Sequence, residues 1–324
     1  MTENRVKKNH KIDNIRAFAI ITVVIGHSII LYSSQWGLYE TERSSLILDC
    51  LKRFINLYQM PLFFSLSGYL FSMTWKNRQF IPFTVNKLRR LLLPFITIGT
   101  LWMIPVRMLV HYPYYEGNSY RFAVYKLLTG YDTGHLWYLP TLFIIFIILF
   151  LIVKGFGNRK LTWSLVLIIT VLANLFRKSL PAIDGVYFPY VYQYGWSFAF
   201  GAFIYQFKAD LLPNMYVRAL SIGTVLSVAF TLYRGKLAFQ TSALIILCVY
   251  NLISDQDYGL ASKISKNSFG IYLFHSPLIY ITFSHLLNAH PLLVSGINLF
   301  VFGSASYLLT EQVRKTPLKL MIGE

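Results

Sequence analysis

Acids and cysteines are what this sequence has least of. Asp and Glu number 13 in 324 residues against 30 Lys and Arg, and only 13% of the chain is charged. A soluble domain of this length carries nearly twice that fraction, roughly 25%. The two cysteines, Cys50 and Cys248, are too few for a disulfide framework or a thiolate metal cluster. There is no internal repeat, no low-complexity tract and no polar stretch that would form an appended soluble domain. The shortage of acids leaves a formal charge of +17. In a soluble protein that balance would suggest nucleic acid. Here no basic stripe interleaved with aromatics accompanies it. The cations sit in short connections, where membrane topology and anionic lipid account for them.

Apolar residues are plentiful: 55% of the chain is hydrophobic, and its mean hydropathy is +0.51. Runs of about 20 apolar residues are the unit that spans a bilayer. They occur near 15–33, 54–75, 91–110, 135–153, 161–177, 188–206, 216–233, 237–253, 268–287 and 292–311. The sequence therefore predicts an all-α integral membrane protein, a bundle of about ten transmembrane helices. Residues 1–14 are expected as a cytoplasmic segment, 15–311 as the membrane domain and 312–324 as a cytoplasmic tail. Residues 46–53 read as a short interfacial helix before the second run. On this layout 20 of the 30 basic residues fall on the face that holds the N-terminus. The positive-inside rule then puts both termini in the cytoplasm of a plasma-membrane protein. The first apolar run is too long for a signal peptide and has no small-residue cleavage site, so it reads as a retained span. The one long connection, 111–134, is rich in tyrosine. It reads as an interfacial aromatic belt, with a sugar-binding rim as the alternative, in which Glu116 and Asp132 would meet a glycan.

The first run carries polar residues that a bare anchor has no use for. Asp13, Arg16 and His27 fall on one side of a helix, with Arg16 and His27 about 16 Å apart along the axis. An ionisable residue inside a span is costly and faces a partner, cavity or pathway. The plain alternative is a packing histidine bonded to a neighbouring helix.

Four further stretches stand out. They are Gln59-Met-Pro-Leu-Phe-Phe-Ser-Leu-Ser-Gly-Tyr69, Lys87-Leu-Arg-Arg-Leu-Leu-Leu-Pro94, Gly134-His-Leu-Trp-Tyr-Leu-Pro140 and Ser268-Phe-Gly-Ile-Tyr-Leu-Phe-His-Ser-Pro277. Proline and small residues in the first suit a kinked, closely packed helix. The cations of the second suit a topogenic anchor or a phosphate clasp. In this order, and with the Asp13-x-x-Arg16…His27 helix before them, the stretches resemble the acyltransferase 3 family of integral membrane acyltransferases.

The resemblance implies transfer of an acyl group, commonly acetyl, to a hydroxyl of a cell-envelope glycan. It makes His27 the catalytic base, with Asp13 grouped beside it. Arg16, Arg89 and Arg90 become contacts to the acyl donor, while His135, Trp137, Tyr138 and His275 are the candidates for substrate contact. Arg90 stands four residues before Pro94 where the family pattern has three, which leaves Arg89 and Arg90 both in play. The chain reaches Glu324 without the hydrolase-like domain that some members carry. Transfer is therefore expected to finish within the membrane domain or on another protein. No bound cofactor or metal is expected, because the seven histidines are scattered. Acetyl-CoA or another acyl-CoA is the expected co-substrate. The expected partners are the acyl donor, the glycan acceptor and the bilayer, with no nucleic acid; a homodimer is left open. The bottom-up chemistry agrees, since acyl transfer to a hydroxyl needs a base near neutral pKa, and histidine is the usual one. A transporter of an envelope glycan, with His27 as a proton relay, is the competing class.

Overall fold

A computed structural model describes residues 9–34, 36–39, 41–75, 78–180 and 188–324. Arg5, Lys7, Lys8 and Lys76, part of the basic tally above, lie outside the described residues, as does most of segment 1–14. Among the described residues all regular structure is helical. In chain order the helices are α1 (His10–Ser28), α2 (Leu46–Met73), α3 (Phe80–Leu109), α4 (Tyr120–Thr129), α5 (Tyr138–Phe156) and α6 (Lys160–Leu175). Then come α7 (Phe188–Phe207), α8 (Asn214–Arg234), α9 (Ala238–Leu252), α10 (Gly259–His285) and α11 (Pro291–Arg314). Four helical stretches are long and apolar enough to cross a membrane by length and composition: Phe80–Leu109, Tyr120–Phe156, Asn214–Arg234 and Pro291–Arg314.

Four expected boundaries move. Residues 46–53 are not a separate interfacial helix but the first two turns of α2, which starts where Ser45 accepts from the Leu48 N–H. The third apolar run begins not near 91 but at Phe80, and its basic stretch is helical rather than a loop. Pro94 explains why this was hidden. Proline lacks an N–H and crowds the carbonyl four residues back, so it reads as a helix start. Here the chain absorbs it in a π segment, Leu88–Leu92, with the Leu93 N–H bonding back to Leu88 O. The same device precedes Pro105, where Gly99–Met103 is π and the Ile104 N–H reaches Gly99 O. Finally, α10 begins at Gly259 rather than 268, and α1 begins at His10, ahead of the expected border at 15.

The centre of the bundle is α1, packed against α2, α10 and α11. At its first turn Asn9 accepts from the Ile12 N–H. Lys11 and Asn14 tie that end to the connections around 210 and 255: Lys11 Nζ donates to Asp210 O at 2.7 Å, and Asn14 Nδ2 donates to Ser254 O and Gln256 O, both at 2.9 Å. At the opposite end Ser34 N donates to Asp49 Oδ1 at 2.9 Å, which brings the finish of α1 to the start of α2.

The tightest crossing is α2 on α7. A Cβ on Gly68 would overlap the Phe198 carbonyl, and one on Gly201 would overlap the Ser65 carbonyl. The two backbones therefore touch, as small residues permit at membrane helix crossings. Large apolar side chains on the outside, such as Ile222, Val225 and Leu226 on α8, stay exposed. That pattern suits a lipid-facing surface, since lipid is as apolar as the side chains themselves.

Candidate active site

Two features sit at opposite ends of α1. The first is at the end where α1 begins. A cavity of about 580 Å³ is lined there by Arg16, Arg78, Lys87, Arg90 and Lys266, with walls of Met60, Phe63, Leu66 and Phe269. Among its described lining residues the one acidic side chain, Glu324, is held by Arg314, with both oxygens at 2.6 Å from the guanidinium. That leaves the cavity strongly positive. Arg90 lines it, whereas its chain neighbour Arg89 does not. Arg16 is set by Ser265, whose Oγ accepts from Arg16 Nη1 at 3.3 Å and donates to Asp13 Oδ1 at 2.8 Å. Asp13 lies 3.6 Å from Arg16 and about 21 Å of helix rise from His27. Its contacts are therefore with Arg16 and Ser265, not with the histidine.

The second feature is a histidine cluster near the other end. His27 Nδ1 is 2.7 Å from His275 Nε2, with the two rings stacked at a centroid distance of 5.0 Å. His275 Nδ1 meets the carbonyls of Ile271 and Tyr272 at 2.8 and 3.0 Å. Carbonyls only accept, so His275 Nδ1 carries the proton. In the neutral ring Nε2 is then the acceptor, and His27 Nδ1–H donates to it. His27 Nε2 is left with its lone pair. This chain of bonds fixes the tautomer that a general base needs. With 2.7 Å between the two nitrogens, the pair is a hydrogen bond, with no space for a metal ion between them.

His135 completes the cluster, with its ring centroid 5.7 Å from that of His275. Its Nε2–H donates to Leu273 O at 3.2 Å, which leaves Nδ1 buried and without a partner in the described protein. A 3-10 turn, Gly134–Trp137, carries it, and Gly134 has φ +51. A Cβ at Gly134 would collide with the Arg107 guanidinium, so the position requires glycine. Tyr272 links cluster and cavity. Its hydroxyl donates to His135 O at 2.5 Å, its ring lies 5.7 Å from that of Tyr138, and both tyrosines line the cavity.

Tyr138 also reaches Ser67 at 3.3 Å. Trp137 stacks on Tyr190 and Tyr194, with centroids at 4.5 and 5.1 Å. Asp132 is engaged by Arg107 at 3.1 Å. That arginine is 1% exposed, lies over the Tyr112 ring at 4.4 Å and donates to Tyr280 at 3.2 Å. Beside it, burial pushes the Tyr115 phenol up to about 12, a rise that the neighbouring guanidinium partly opposes.

Sequence reasoning passed over Ser265, Tyr272 as a wall, and Arg107. Only Arg107 carried a usable signal, as a cation near the end of an apolar run.

The arrangement is a basic cavity at one end of a helix bundle, with an oriented histidine pair near the other. The acyltransferase 3 family, described as an acyltransferase domain, matches residues 9–310. The chain belongs to that family. Among curated proteins it is similar to the glucans biosynthesis protein C of Escherichia coli (strain K12), at 25% identity over 159 residues. That match covers 47% of this chain and 41% of the relative. The protein of the same name from Shigella dysenteriae serotype 1 is 26% identical over 160 residues, with the same coverage. This chain thus matches less than half the length of these relatives. No solved structure matches it significantly. Membership gives the chain an acyltransferase-family domain over most of its length, and the apolar helices described above are consistent with a membrane protein.

Proposed function

We propose that this acyltransferase moves an acyl group, acetyl in the simplest case, from a CoA thioester to a hydroxyl of a cell-envelope glycan at the plasma membrane. The observation that carries the reading is the His27–His275 pair, set behind the tyrosine wall of a cavity lined by Arg16 and Arg90. The cations suit the phosphates of the donor, which arginine grips in bidentate fashion. The donor's arm then extends along the bundle toward the histidines. His27 Nε2 takes the proton of the acceptor hydroxyl, and the oxygen attacks the thioester carbonyl carbon. The tetrahedral intermediate collapses with loss of the C–S bond, and the proton on His27 passes to the departing thiolate. The products are the ester and free CoA. A glycan acceptor is supported by the relatives' name, which refers to glucan biosynthesis.

We read all ten long helices as crossing the membrane, with α4 peripheral and both termini cytoplasmic. Support comes from the basic-residue bias and from the pairing of helix ends. Ser72, Asn158 and Gln206 meet at the end of α2, while Thr41 meets Leu287 at the other face. In a variant lacking Cys50 and Cys248, a cysteine at Asn118 should label from outside intact cells, and one at Lys263 only after permeabilisation. The reverse pattern would invert the assignment.

Donor use gives the direct test. Purified protein should consume acetyl-CoA when an acceptor sugar is present, and envelope glycans should lose acyl mass when the protein is deleted. Arg90→Ala should raise the donor KM tenfold or more, since a charge-assisted contact is worth roughly 1.5–3 kcal/mol. Arg89→Ala should leave it near the parent value. Equal effects from the two variants would remove Arg90 from the cavity's chemistry.

A further inference from the structure

Lys52 is a buried cation beside the histidine cluster with no acid paired to it among the described residues. It is 3% exposed, on α2. Its ammonium lies against the backbone one residue before His27, with Nζ 3.3 Å from the point where a Cβ on Gly26 would stand. Gln59 Oε1 is 2.7 Å from the same point. Gln59 is 8% exposed, and its Oε1 has no hydrogen-bond partner in the described protein, although its Nε2 donates to Asn56 Oδ1 at 2.8 Å. Lys52, Asn56 and Gln59 follow at intervals of four and three, so one face of α2 carries all three toward α1.

The nearest carboxylate along the helix is occupied. Asp49 Oδ1 accepts from Ser34 N and Ser34 Oγ at 2.9 Å each, and Oδ2 faces Arg53 Nε at 3.8 Å. Among the described residues none pairs with Lys52. Burying an unpaired ammonium costs several kcal/mol, and in a membrane bundle such a residue marks a ligand or a pathway. Gly26 is what lets the two polar ends approach α1, since any larger residue would meet the Gln59 amide.

We infer that Lys52 and Gln59 form an anion-binding subsite that takes a carboxylate or phosphate ester carried by the acceptor and so brings the acceptor's hydroxyl to His27. The ammonium supplies charge and hydrogen bonds to the anionic oxygens. The acceptor's neighbouring hydroxyl donates to the vacant Gln59 Oε1. The inference rests on the acyl-transfer reading above, because it assigns one reactant of that reaction to this position.

The test uses the full chain in detergent and three probes: methyl glucuronide, glucose 6-phosphate and methyl glucoside. Thermal melting reads binding without turnover, and acetyl transfer from acetyl-CoA is measured on the same preparation. The parent protein should be stabilised by at least one anionic probe and not by the glucoside, and the responding probe tells carboxylate from phosphate. Lys52→Met should reduce the preference for that anionic probe over the glucoside at least tenfold, and Lys52→Arg should restore most of it. Gln59→Glu provides a second route should Lys52→Met fail to fold. It places a carboxylate beside the ammonium and should abolish the anion response in a folded protein. Equal stabilisation by all three probes would overturn the inference, as would an anion response that persists in Lys52→Met or Gln59→Glu. Anion binding that depends on Lys52, with no acetyl transferred to any probe, would keep the subsite and sink the acyl-transfer reading instead.

Discussion

His27→Ala is expected to give a protein that inserts and melts like its parent but has lost about 10²- to 10⁴-fold in transfer rate, the usual contribution of a positioned general base. The expectation rests on the tautomer. Two backbone carbonyls fix the proton on His275 Nδ1, so His275 Nε2 accepts and the His27 lone pair is free on Nε2. A histidine that served only packing would behave in the opposite way: its loss would lower the melting temperature, while turnover per folded molecule would survive. Measuring melting and turnover on one preparation separates the two. Near-parent turnover in folded His27→Ala would move the base to His135, whose Nδ1 is the other free acceptor in the cluster.

The second large effect belongs to His275. It does not need to touch substrate; it holds the imidazole of His27 in register. His275→Ala should therefore lower kcat about 10²- to 10⁴-fold, the upper figure being the loss when the aspartate that orients a protease's catalytic imidazole is altered. The donor KM should stay put, because the basic cavity lies at the far end of α1. His275→Gln should recover part of the loss, since its amide oxygen can still accept from His27 Nδ1–H while its NH₂ serves the Ile271 carbonyl. A merely structural role predicts no such rescue and predicts KM and stability changing together. Equal kcat values for the Ala and Gln variants would argue against the orienting role.

Much of this was legible in the sequence, for reasons that differ by element. His27 stood out because an imidazole inside an apolar run is costly without a partner, whether catalytic or packing. The partnership of His27 with His275 did not, because 248 positions separate them and nothing local encodes the crossing of α1 with α10. Arg89 and Arg90 could not be separated while their stretch was read as a loop. In the fold the stretch belongs to α3, and of the two only Arg90 lines the cavity. The interfacial helix expected at 46–53 failed for a related reason: Asp49, Lys52 and Arg53 look like a membrane edge. In the fold Asp49 and Arg53 pair with each other across one turn and Lys52 turns into the bundle, so the helix continues. Ser265 had no signal at all. A lone serine becomes a bridge between Asp13 and Arg16 only when α10 meets α1.

The distance between Arg16 and His27, about 16 Å along α1, has an electrical meaning. On the acyl-transfer reading proposed above, Arg16 and Arg90 hold the donor's phosphates at the cavity's end of the helix, so the charged carrier stays where it binds. What travels through the low-dielectric interior is an uncharged acyl group. Moving one elementary charge across a membrane at 100 mV is worth about 2.3 kcal/mol, but moving none is worth nothing. On that reading the reaction would deliver its product to the far side without drawing on the membrane potential, and it should run as well in a depolarised vesicle as in an energised cell.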